Sequence, residues 1–423
     1  MTLSAKPKTF TSYQAFVIAV LAILQFTIVL DFMVLSPLGV LLLEKLKINT
    51  SQFGLVVSAY AFSAGVSGLL AAGFADKFDR KKLLMFFYTG FIIGTFLCGI
   101  APDYYFLLIA RIVTGLFGGV VGAVSFAIIT DLFKLEVRGR VMGYVQTAFA
   151  ASQVLGIPIG LLLANHFGWH APFLMITALG VLLGIVIAVY IKPVTAHLQI
   201  RSERNAFSHL FKTVASPRHQ LAFAATTLLA TGGFMLMPFA SAFTTHNLGI
   251  TLNQLTWLYG ITGVFSMIFG PLAGRLSDRF GKFNVFVAGT LITMTMVAIY
   301  TNLGTTPFAL VAVINVLMFL GVSTRMISAS ALTTAVPAPQ DRGAFMSINA
   351  SVQQISGGIG AAVAGLIVVQ TSSGALEHYN YLGDVVIGAM IITIIMMRLV
   401  NNMVSSSAGK KQTEKTVDLP AEV

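Results

Sequence analysis

The sequence predicts an all-α polytopic membrane protein with twelve transmembrane helices in two pseudo-symmetric six-helix bundles. Its composition, its recurring apolar runs and two near-duplicate loops support this fold class. Of the 423 residues, 56% are hydrophobic and 10% are charged, whereas about 25% of residues are charged in an average soluble domain. This composition excludes a soluble globular protein. The apolar runs are continuous, which also excludes the alternating strands of a membrane β-barrel.

Each apolar run is long enough to cross a bilayer, for which a helix needs about 20 residues. The first six runs cover residues 14–43, 53–74, 83–100, 104–129, 141–165 and 171–191. The second six cover residues 221–243, 255–274, 283–300, 307–336, 344–370 and 381–400. We therefore expect an N-terminal bundle over 14–191 and a C-terminal bundle over 221–400.

The remaining segments are polar and basic, and they predict the orientation of the chain. By the positive-inside rule, the loops rich in lysine and arginine face the cytoplasm, while only Lys45 and Lys47 lie on the other side. Residues 1–13, the linker 192–220 and the tail 401–423 are then cytoplasmic, with the tail disordered. We expect residence in the cell (inner) membrane with both termini cytoplasmic.

Within the linker, apolar side chains recur at the spacing of one helix face. They are Phe207, Leu210, Phe211 and Val214. This spacing predicts an amphipathic helix that lies on the inner membrane surface.

The two predicted bundles look like copies of one unit. Residues 72–82 read AGFADKFDRKK and residues 274–283 read GRLSDRFGKF, which places Asp76 and Asp278 202 residues apart. Arg138 and Arg342, each in a later basic loop, are 204 residues apart. Parallel repeats of this kind are a known plan of secondary transporters.

These duplicated loops resemble the signature loop of the major facilitator superfamily, G-x-L-A-D-[RK]-x-G-[RK]-[RK]. The second copy matches at Gly274, Leu276, Asp278, Arg279, Gly281 and Lys282, and the first matches at Asp76, Lys77, Arg80 and Lys81. The resemblance implies the twelve-helix fold of that family. It also implies that Asp76, Arg80, Asp278 and Arg279 close the cytoplasmic side as a gate and do not contact substrate.

Two further motifs resemble exporters of that superfamily. Arg111, Thr114 and Gly115 resemble the R-x-x-Q-G pattern of proton-coupled members, with threonine in place of glutamine. The stretch Gly156-Ile-Pro158-Ile-Gly160 resembles the G-x-P-x-G form of sugar-efflux and arabinose-efflux-like members of the drug:proton antiporter branch. The resemblance implies export. The two glycines and the proline could also kink or thin the fifth helix, or only permit close packing.

Asp31 is the exceptional acid of the sequence, because it lies deep in an apolar run. An ionisable residue inside the membrane is a functional candidate by default. We expect Asp31 to bind and release protons and Arg111 to be its partner. The alternatives are a structural ion pair or a satisfied polar contact for Asp31, and a packing charge bonded to backbone carbonyls for Arg111.

Other residues are candidates for a substrate cavity between the bundles. Arg325 is a second basic residue inside an apolar run and could meet an anionic substrate group or cap a gate. Polar candidates are Gln25, Gln146, Asn315, Asn349 and Gln353, and apolar candidates are Phe32, Phe149, Phe234 and Met235. The alternative for each of these uncharged side chains is a lipid-facing or packing role.

The sequence thus predicts a secondary active transporter with alternating access, a proton-coupled antiporter that exports a small amphiphilic or drug-like molecule. Its expected partners are that substrate, protons and the lipid bilayer, with no nucleic acid, cofactor or metal, and we expect a monomer. The alternative is a sugar or metabolite permease with other coupling. A channel or a membrane enzyme is less favoured, because neither a pore loop nor the motif of an embedded hydrolase is present.

Overall fold

The computed structural model describes residues 10–195, 198, 206–338 and 341–417. The N-terminal half contains α1 (Ser12–Val34), α2 (Gly39–Lys45), α3 (Thr50–Phe74), α4 (Arg80–Gly99), α5 (Tyr104–Leu132), α6 (Leu135–Ala151), α7 (Ile157–Phe167) and α8 (Ala171–Tyr190). The linker contributes α9 (Ala206–Ala215). The C-terminal half contains α10 (Pro217–Leu236), α11 (Ala240–Ala242), α12 (Leu252–Phe280), α13 (Lys282–Tyr300), α14 (Phe308–Thr333), α15 (Arg342–Ile367) and α16 (Tyr379–Val417). A short hairpin of β1 (Val369–Gln370) and β2 (Leu376–Glu377) precedes α16.

The prediction of a helical membrane protein with two six-helix halves is confirmed. Eleven helices of the described chain are long and apolar enough to cross a membrane. The remaining predicted span, 141–165, is formed by α6 and α7, which a π-helical turn over Ser152–Gly156 joins.

The first predicted span differs from the structure. We expected one helix over residues 14–43, but α1 ends at Val34 and α2 begins at Gly39. The break contains Pro37, which lacks the backbone donor that a continuing helix needs. Asp31 therefore lies three residues before the end of α1 and not at the middle of a long helix.

The polar tail also differs from the expected disorder as far as the structure describes it. Helix α16 continues through this segment to Val417, and residues 418–423 lie outside the described part. Alanine, lysine, glutamine and glutamate are frequent in 408–417. Because these residues favour helix, they extend the last span beyond its apolar stretch.

The repeat is visible in the helix boundaries. Helix α12 begins 202 residues after α3, as the paired aspartates predicted. Helix α14 begins 204 residues after α5, which is the offset between the paired arginines. Each helix of the second half therefore has a counterpart at nearly constant distance along the chain.

The two ends of the bundle carry different segments of the chain. The basic end carries the N-terminal start of α1, the loop around Lys77 and the linker, where Val194 accepts a backbone hydrogen bond of 3.2 Å from Arg80. The far end carries Lys45, Lys47 and the β-hairpin.

The distribution of the hydrophobic core differs between these ends. At the far end, one cluster of buried side chains includes residues of both halves, among them Val34 and Leu43 of the first and Phe239 and Leu382 of the second. Toward the basic end each half has its own cluster. Leu69 of α3 is the described side chain that packs against the cluster of the opposite half. The halves therefore share one hydrophobic core at the far end and have separate cores toward the basic end, where α3 still approaches α15 at Gly65 and Gly68.

The linker contains a helix where the spacing of its apolar side chains predicted one. Leu210 is buried in the core of the C-terminal half, whereas Phe211 and Val214 are exposed, and the side chain of Phe207 lies outside the described part. His209 Nε2 lies 3.1 Å from Asp341 Oδ1, which ties the linker to the loop before α15.

Candidate transport site

Asp31 and Arg111 form a buried ion pair within the N-terminal half. Arg111 Nη1 donates a hydrogen bond of 2.8 Å to Asp31 Oδ2, and it lies 3.5 Å from the carbonyl oxygen of Asp31. Both side chains are fully buried. Removing two charges from water is costly, and only close pairing and hydrogen bonding offset that cost.

Two further side chains complete the surroundings of the pair. Thr95 of α4 donates a hydrogen bond of 3.1 Å to Asp31 Oδ1. The guanidinium carbon of Arg111 lies 4.5 Å from the ring centroid of Tyr60 on α3, a cation–π arrangement. The carboxylate thus has one charged and one neutral donor, and the arginine lies between a carboxylate and an aromatic face.

Not all hydrogen-bond donors of the pair have a partner. Arg111 Nε and Nη2 are buried, and neither has a hydrogen-bond partner within the described part of the chain. A buried donor without a partner costs about 1–3 kcal/mol. The site therefore retains hydrogen-bonding capacity on the arginine side.

Glycines bring the helices of the site together. A Cβ added at Gly94 of α4 would lie 2.8 Å from Thr114 Cα, and one added at Gly115 of α5 would lie 2.4 Å from the Tyr60 carbonyl oxygen. Because glycine lacks this atom, α3 and α4 approach α5 closely enough for Tyr60 and Thr95 to surround the Asp31–Arg111 pair.

The pair lies toward the far end of the bundle. Arg111 is seven residues from the start of α5, about 10 Å along the helix axis. The pair therefore lies close to the shared far-end core, to which Val34 and Leu107 belong.

Phe32 connects the pair to the opposite half. Its ring centroid lies 5.4 Å from that of Tyr60 and 5.7 Å from that of Phe234 on α10. The adjacent Met235 is buried within the shared far-end core. Of the apolar cavity candidates, Phe32 and Phe234 thus meet across the two halves, while the side chain of Phe149 lies outside the described part.

The polar cavity candidates are dispersed. Asn315 accepts a hydrogen bond of 3.0 Å from Thr262, and Asn349 accepts one of 2.8 Å from Thr226, so both bind within the C-terminal half. The Oε1 atom of Gln25 is buried without a described partner, and Gln353 is half-buried. The side chain of Gln146 lies outside the described part.

Arg325 is buried in α14 with 2% of its surface exposed. Its Nε and Nη2 atoms have no hydrogen-bond partner in the described part of the chain, and no carboxylate of that part lies within 4.0 Å of its guanidinium. Arg325 therefore differs from Arg111, which has a carboxylate and an aromatic ring.

The gate candidates at the basic end have different environments. Arg80 lies 3.1 Å from Asp131 at the end of α5, and it donates a hydrogen bond of 2.8 Å to the Ala75 carbonyl oxygen. Asp278 and Arg279 are exposed, and the guanidinium of Arg279 lies 5.4 Å from the ring of Phe280. The side chain of Asp76 lies outside the described part.

The glycines of the fifth span permit close contact with α1. A Cβ at Gly156 would lie 2.5 Å from a methyl carbon of Leu30, and one at Gly160 would lie 2.8 Å from Val34 Cγ2. Pro158 faces the opposite half, 3.8 Å from the position of a Cβ on Gly260. These residues thus lie where α7 contacts both α1 and α12.

Polar contacts accompany the shared core where the halves meet at the far end. The Ser36 hydroxyl donates to the carbonyl oxygen of Met237, and the Ser241 hydroxyl donates to the carbonyl oxygen of Ser36 at 2.8 Å. Thr50 donates a hydrogen bond of 2.6 Å to the Val368 carbonyl oxygen. These bonds join α1–α3 to the second half.

Several of these residues were not singled out by the sequence reasoning. Thr95 carries one weak signal, because it is an isolated hydroxyl in the apolar stretch 91–100. Asp131 lies two residues after the fourth apolar run and could have been identified as an acid close to the basic loop. Tyr60 and Ser241 carry no such signal. Among the described residues, no group of three or more histidine, cysteine, aspartate or glutamate side chains could hold a metal ion.

Comparison with known proteins agrees with this architecture. The chain is 28% identical over 399 residues to the uncharacterized MFS-type transporter YceJ of Bacillus subtilis (strain 168), covering 93% of this chain and 97% of that protein. It is 32% identical over 146 residues to multidrug resistance protein 3 of the same organism, a match that covers 34% of this chain and 28% of that protein. The crystal structure of a mutant of the nucleoside transporter NupG aligns with a TM-score of 0.73 at 14% identity, over 91% of this chain and 99% of that chain, and shows the shared fold.

A family model matches each half of the chain separately. Residues 21–225 match it once and residues 222–421 match it again, so the two matches follow the two six-helix halves. The model describes membrane transporters, and together its matches cover almost the whole chain. The chain belongs to the Major Facilitator Superfamily.

Proposed function

We propose that this secondary transporter is a proton-coupled antiporter that exports a small amphiphilic or drug-like molecule by alternating access. In this proposal the basic end faces the cytoplasm, as the positive-inside rule requires. The partial similarity to a multidrug resistance protein and the exporter-like motif of the fifth span support the direction and the type of substrate.

The fully buried pair of Asp31 and Arg111 carries the proposal. When Asp31 is ionised, Arg111 neutralises it, and the N-terminal half contains no net buried charge at this site. When Asp31 accepts a proton, the ionic attraction is lost, and the guanidinium keeps only neutral contacts, among them the Tyr60 ring and the Asp31 carbonyl oxygen. Protonation therefore changes the free energy of the closed arrangement.

The pair can influence the conformation because it lies beside the far-end closure. Phe32, adjacent in sequence to Asp31, contacts Phe234 of the opposite half. A shift of α1 on protonation would therefore be transmitted to the contact between the halves. Coupling requires that the proton favour one of two states, and the place of the pair beside the far-end contact supports such a preference.

The test is transport in proteoliposomes that contain the purified full chain, with an imposed pH gradient. Three fluorescent amphiphiles serve as probes: ethidium as a cation, 1-N-phenylnaphthylamine as a neutral compound and 8-anilinonaphthalene-1-sulfonate as an anion. We expect the gradient to accelerate transport of at least one probe. The Asp31→Asn variant should lose this acceleration while it retains slow exchange down the probe's own gradient.

Asp384→Asn is the matched control, because Asp384 is an exposed carboxylate on α16. This control should transport as the natural protein does. Full proton coupling in Asp31→Asn would refute the role of the pair. Transport that is insensitive to the pH gradient in the natural protein would favour the permease alternative.

A further inference from the structure

Arg325 is a buried cation, and no carboxylate in the described part of the chain lies within 4.0 Å of it. The acids of the C-terminal half whose side chains are described are Asp278, Asp341, Glu377 and Asp384. All of them lie in loops, near helix ends or on exposed surface, and none is within 4.0 Å of Arg325. Among the described side chains, the C-terminal half thus holds one buried positive charge without a carboxylate partner.

The repeat shows that the fold does not require a cation at this place. With the offset of 204 residues between α5 and α14, the counterpart of Arg325 is Val121, a fully buried core residue. The counterpart of Arg111 is Asn315, which forms a neutral hydrogen bond with Thr262. A valine fills the position without difficulty in one half, so packing alone does not explain an arginine in the other.

An unpaired guanidinium in an apolar environment is expensive. Its cost is reduced when a carboxylate or a similar anion supplies both charge and hydrogen-bond acceptors, and the planar guanidinium binds such groups in a bidentate manner. The Nε and Nη2 atoms of Arg325 are buried donors that have no hydrogen-bond partner in the described part of the chain. In arginine these atoms lie side by side, so one planar anionic group can accept hydrogen bonds from both.

The position of Arg325 fits a ligand that enters from the basic end. It lies 17 residues from the far-end start of α14, about 26 Å along the helix axis, whereas Arg111 is about 10 Å from the start of α5. Arg325 is therefore on the side where the two halves have separate cores, beyond the shared far-end core.

We propose that Arg325 binds the anionic group of the transported molecule, so that the substrate is an amphiphilic organic anion, such as an aromatic carboxylate. This inference rests on the proposed transport function and adds the charge of the substrate to it. With the anion bound at Arg325 and with Asp31 paired to Arg111, the buried charges of both halves are balanced.

Binding to the purified full chain in detergent tests the proposal without any proton gradient. The probes are 3-phenylpropionate, its neutral amide 3-phenylpropanamide and its cationic counterpart 3-phenylpropylamine, and the readout is the thermal unfolding temperature. We expect only the carboxylate to raise this temperature. In Arg325→Met the apparent affinity for the carboxylate should fall about tenfold to hundredfold, since a charged hydrogen-bonded contact is lost. Arg325→Lys should retain part of the binding.

A second readout covers the case in which binding fails because the variant is damaged. If Arg325 has no partner in the protein, Arg325→Met without ligand should unfold at the same or a higher temperature than the natural protein. Arg398→Met, at an exposed arginine of α16, controls for the change in net charge.

Three results would overturn the proposal: marked destabilisation of ligand-free Arg325→Met, equal carboxylate binding by this variant and the natural protein, or no stabilisation of the natural protein by the carboxylate. Loss of proton coupling in liposomes would not affect these measurements. Failure of this proposal and failure of the antiport proposal are therefore distinguishable.

Discussion

Ser241 and Ser36 lie in opposite halves of the transporter, and the Ser241 hydroxyl donates a hydrogen bond of 2.8 Å to the Ser36 carbonyl oxygen. The Ser36 hydroxyl in turn donates to Met237, so the non-helical segment between α1 and α2 is bound to the end of the seventh span. These bonds cross the far end of the interface and have to break if the halves separate there.

Removal of both hydroxyls should shift the protein toward the state that is open at the far end. Two hydrogen bonds contribute about 2 kcal/mol in total, which corresponds to about a thirtyfold change in the equilibrium. We expect Ser36→Ala combined with Ser241→Ala to produce a longer distance between spin labels at Lys45→Cys and Asn253→Cys in a Cys98→Ser background. Thr295→Ala, which removes an exposed hydroxyl bonded within α13, should leave the distance distribution unchanged. An unchanged distribution in the double variant would show that these bonds do not hold the far end closed.

The buried ion pair should show strong thermodynamic coupling between its members. Asp31→Asn or Arg111→Gln alone leaves a buried charge without its partner and should cost about 3–5 kcal/mol. The double variant should cost less than the sum of the two. The measurement is chemical unfolding of the three variants in detergent, analysed as a double-mutant cycle. Additive costs would mean that the two side chains do not interact in the natural protein.

The ring of Tyr60 should stabilise Arg111 through its face and not through its hydroxyl. Tyr60→Phe keeps the ring 4.5 Å from the guanidinium carbon and should change stability little. Tyr60→Leu removes the aromatic face and should cost about 1–2 kcal/mol more than the phenylalanine variant. Unfolding of both variants in detergent gives the comparison, and equal stability of the two would exclude a cation–π contribution.

The contact of α3 with α15 should depend on the small size of Gly54. A Cβ at this position would lie 2.8 Å from the Ala361 carbonyl oxygen and 3.2 Å from Gly365 Cα, which are backbone atoms and cannot move aside easily. Gly54→Leu should therefore disfavour far-end closure by about 1–3 kcal/mol. The spin-label pair described above measures this shift. Gly388→Leu on α16, where the added Cβ meets no atom within 4 Å, should behave as the natural protein does.

Much of the fold follows from the sequence because the bilayer imposes simple requirements. A span must be long, apolar and helical, so composition alone identified nearly every membrane-crossing helix. The break after Val34 was missed because the apolar character continues through residues 35–43. Hydropathy measures transfer into lipid and does not register where a backbone turns inside a protein.

The candidate site could be predicted only as far as charge is conspicuous. Asp31 and Arg111 are rare charges in apolar surroundings, and the structure brings them together as expected. Thr95 and Tyr60 are ordinary residues of membrane helices, and only the glycine-mediated approach of α3, α4 and α5 gives them a role. Spacing along the chain carries no information about such contacts between helices.

The π-helical turn over Ser152–Gly156 distinguishes two otherwise matching parts of the repeat. Its counterpart in the second half, α15, is a continuous α-helix from Arg342 to Ile367. A π turn holds more residues per turn than an α-helix, so it changes the phase between the side chains before and after it by the equivalent of one residue, about 100° around the helix axis. Side chains of α7 and of the matching part of α15 therefore point in different directions around their helix axes, in addition to differing in residue type. A single-residue deletion within Ser152–Gly156 would realign α7 with the phase of its counterpart, and it would turn Pro158, which now lies 3.8 Å from the position of a Cβ on Gly260, away from the opposite half.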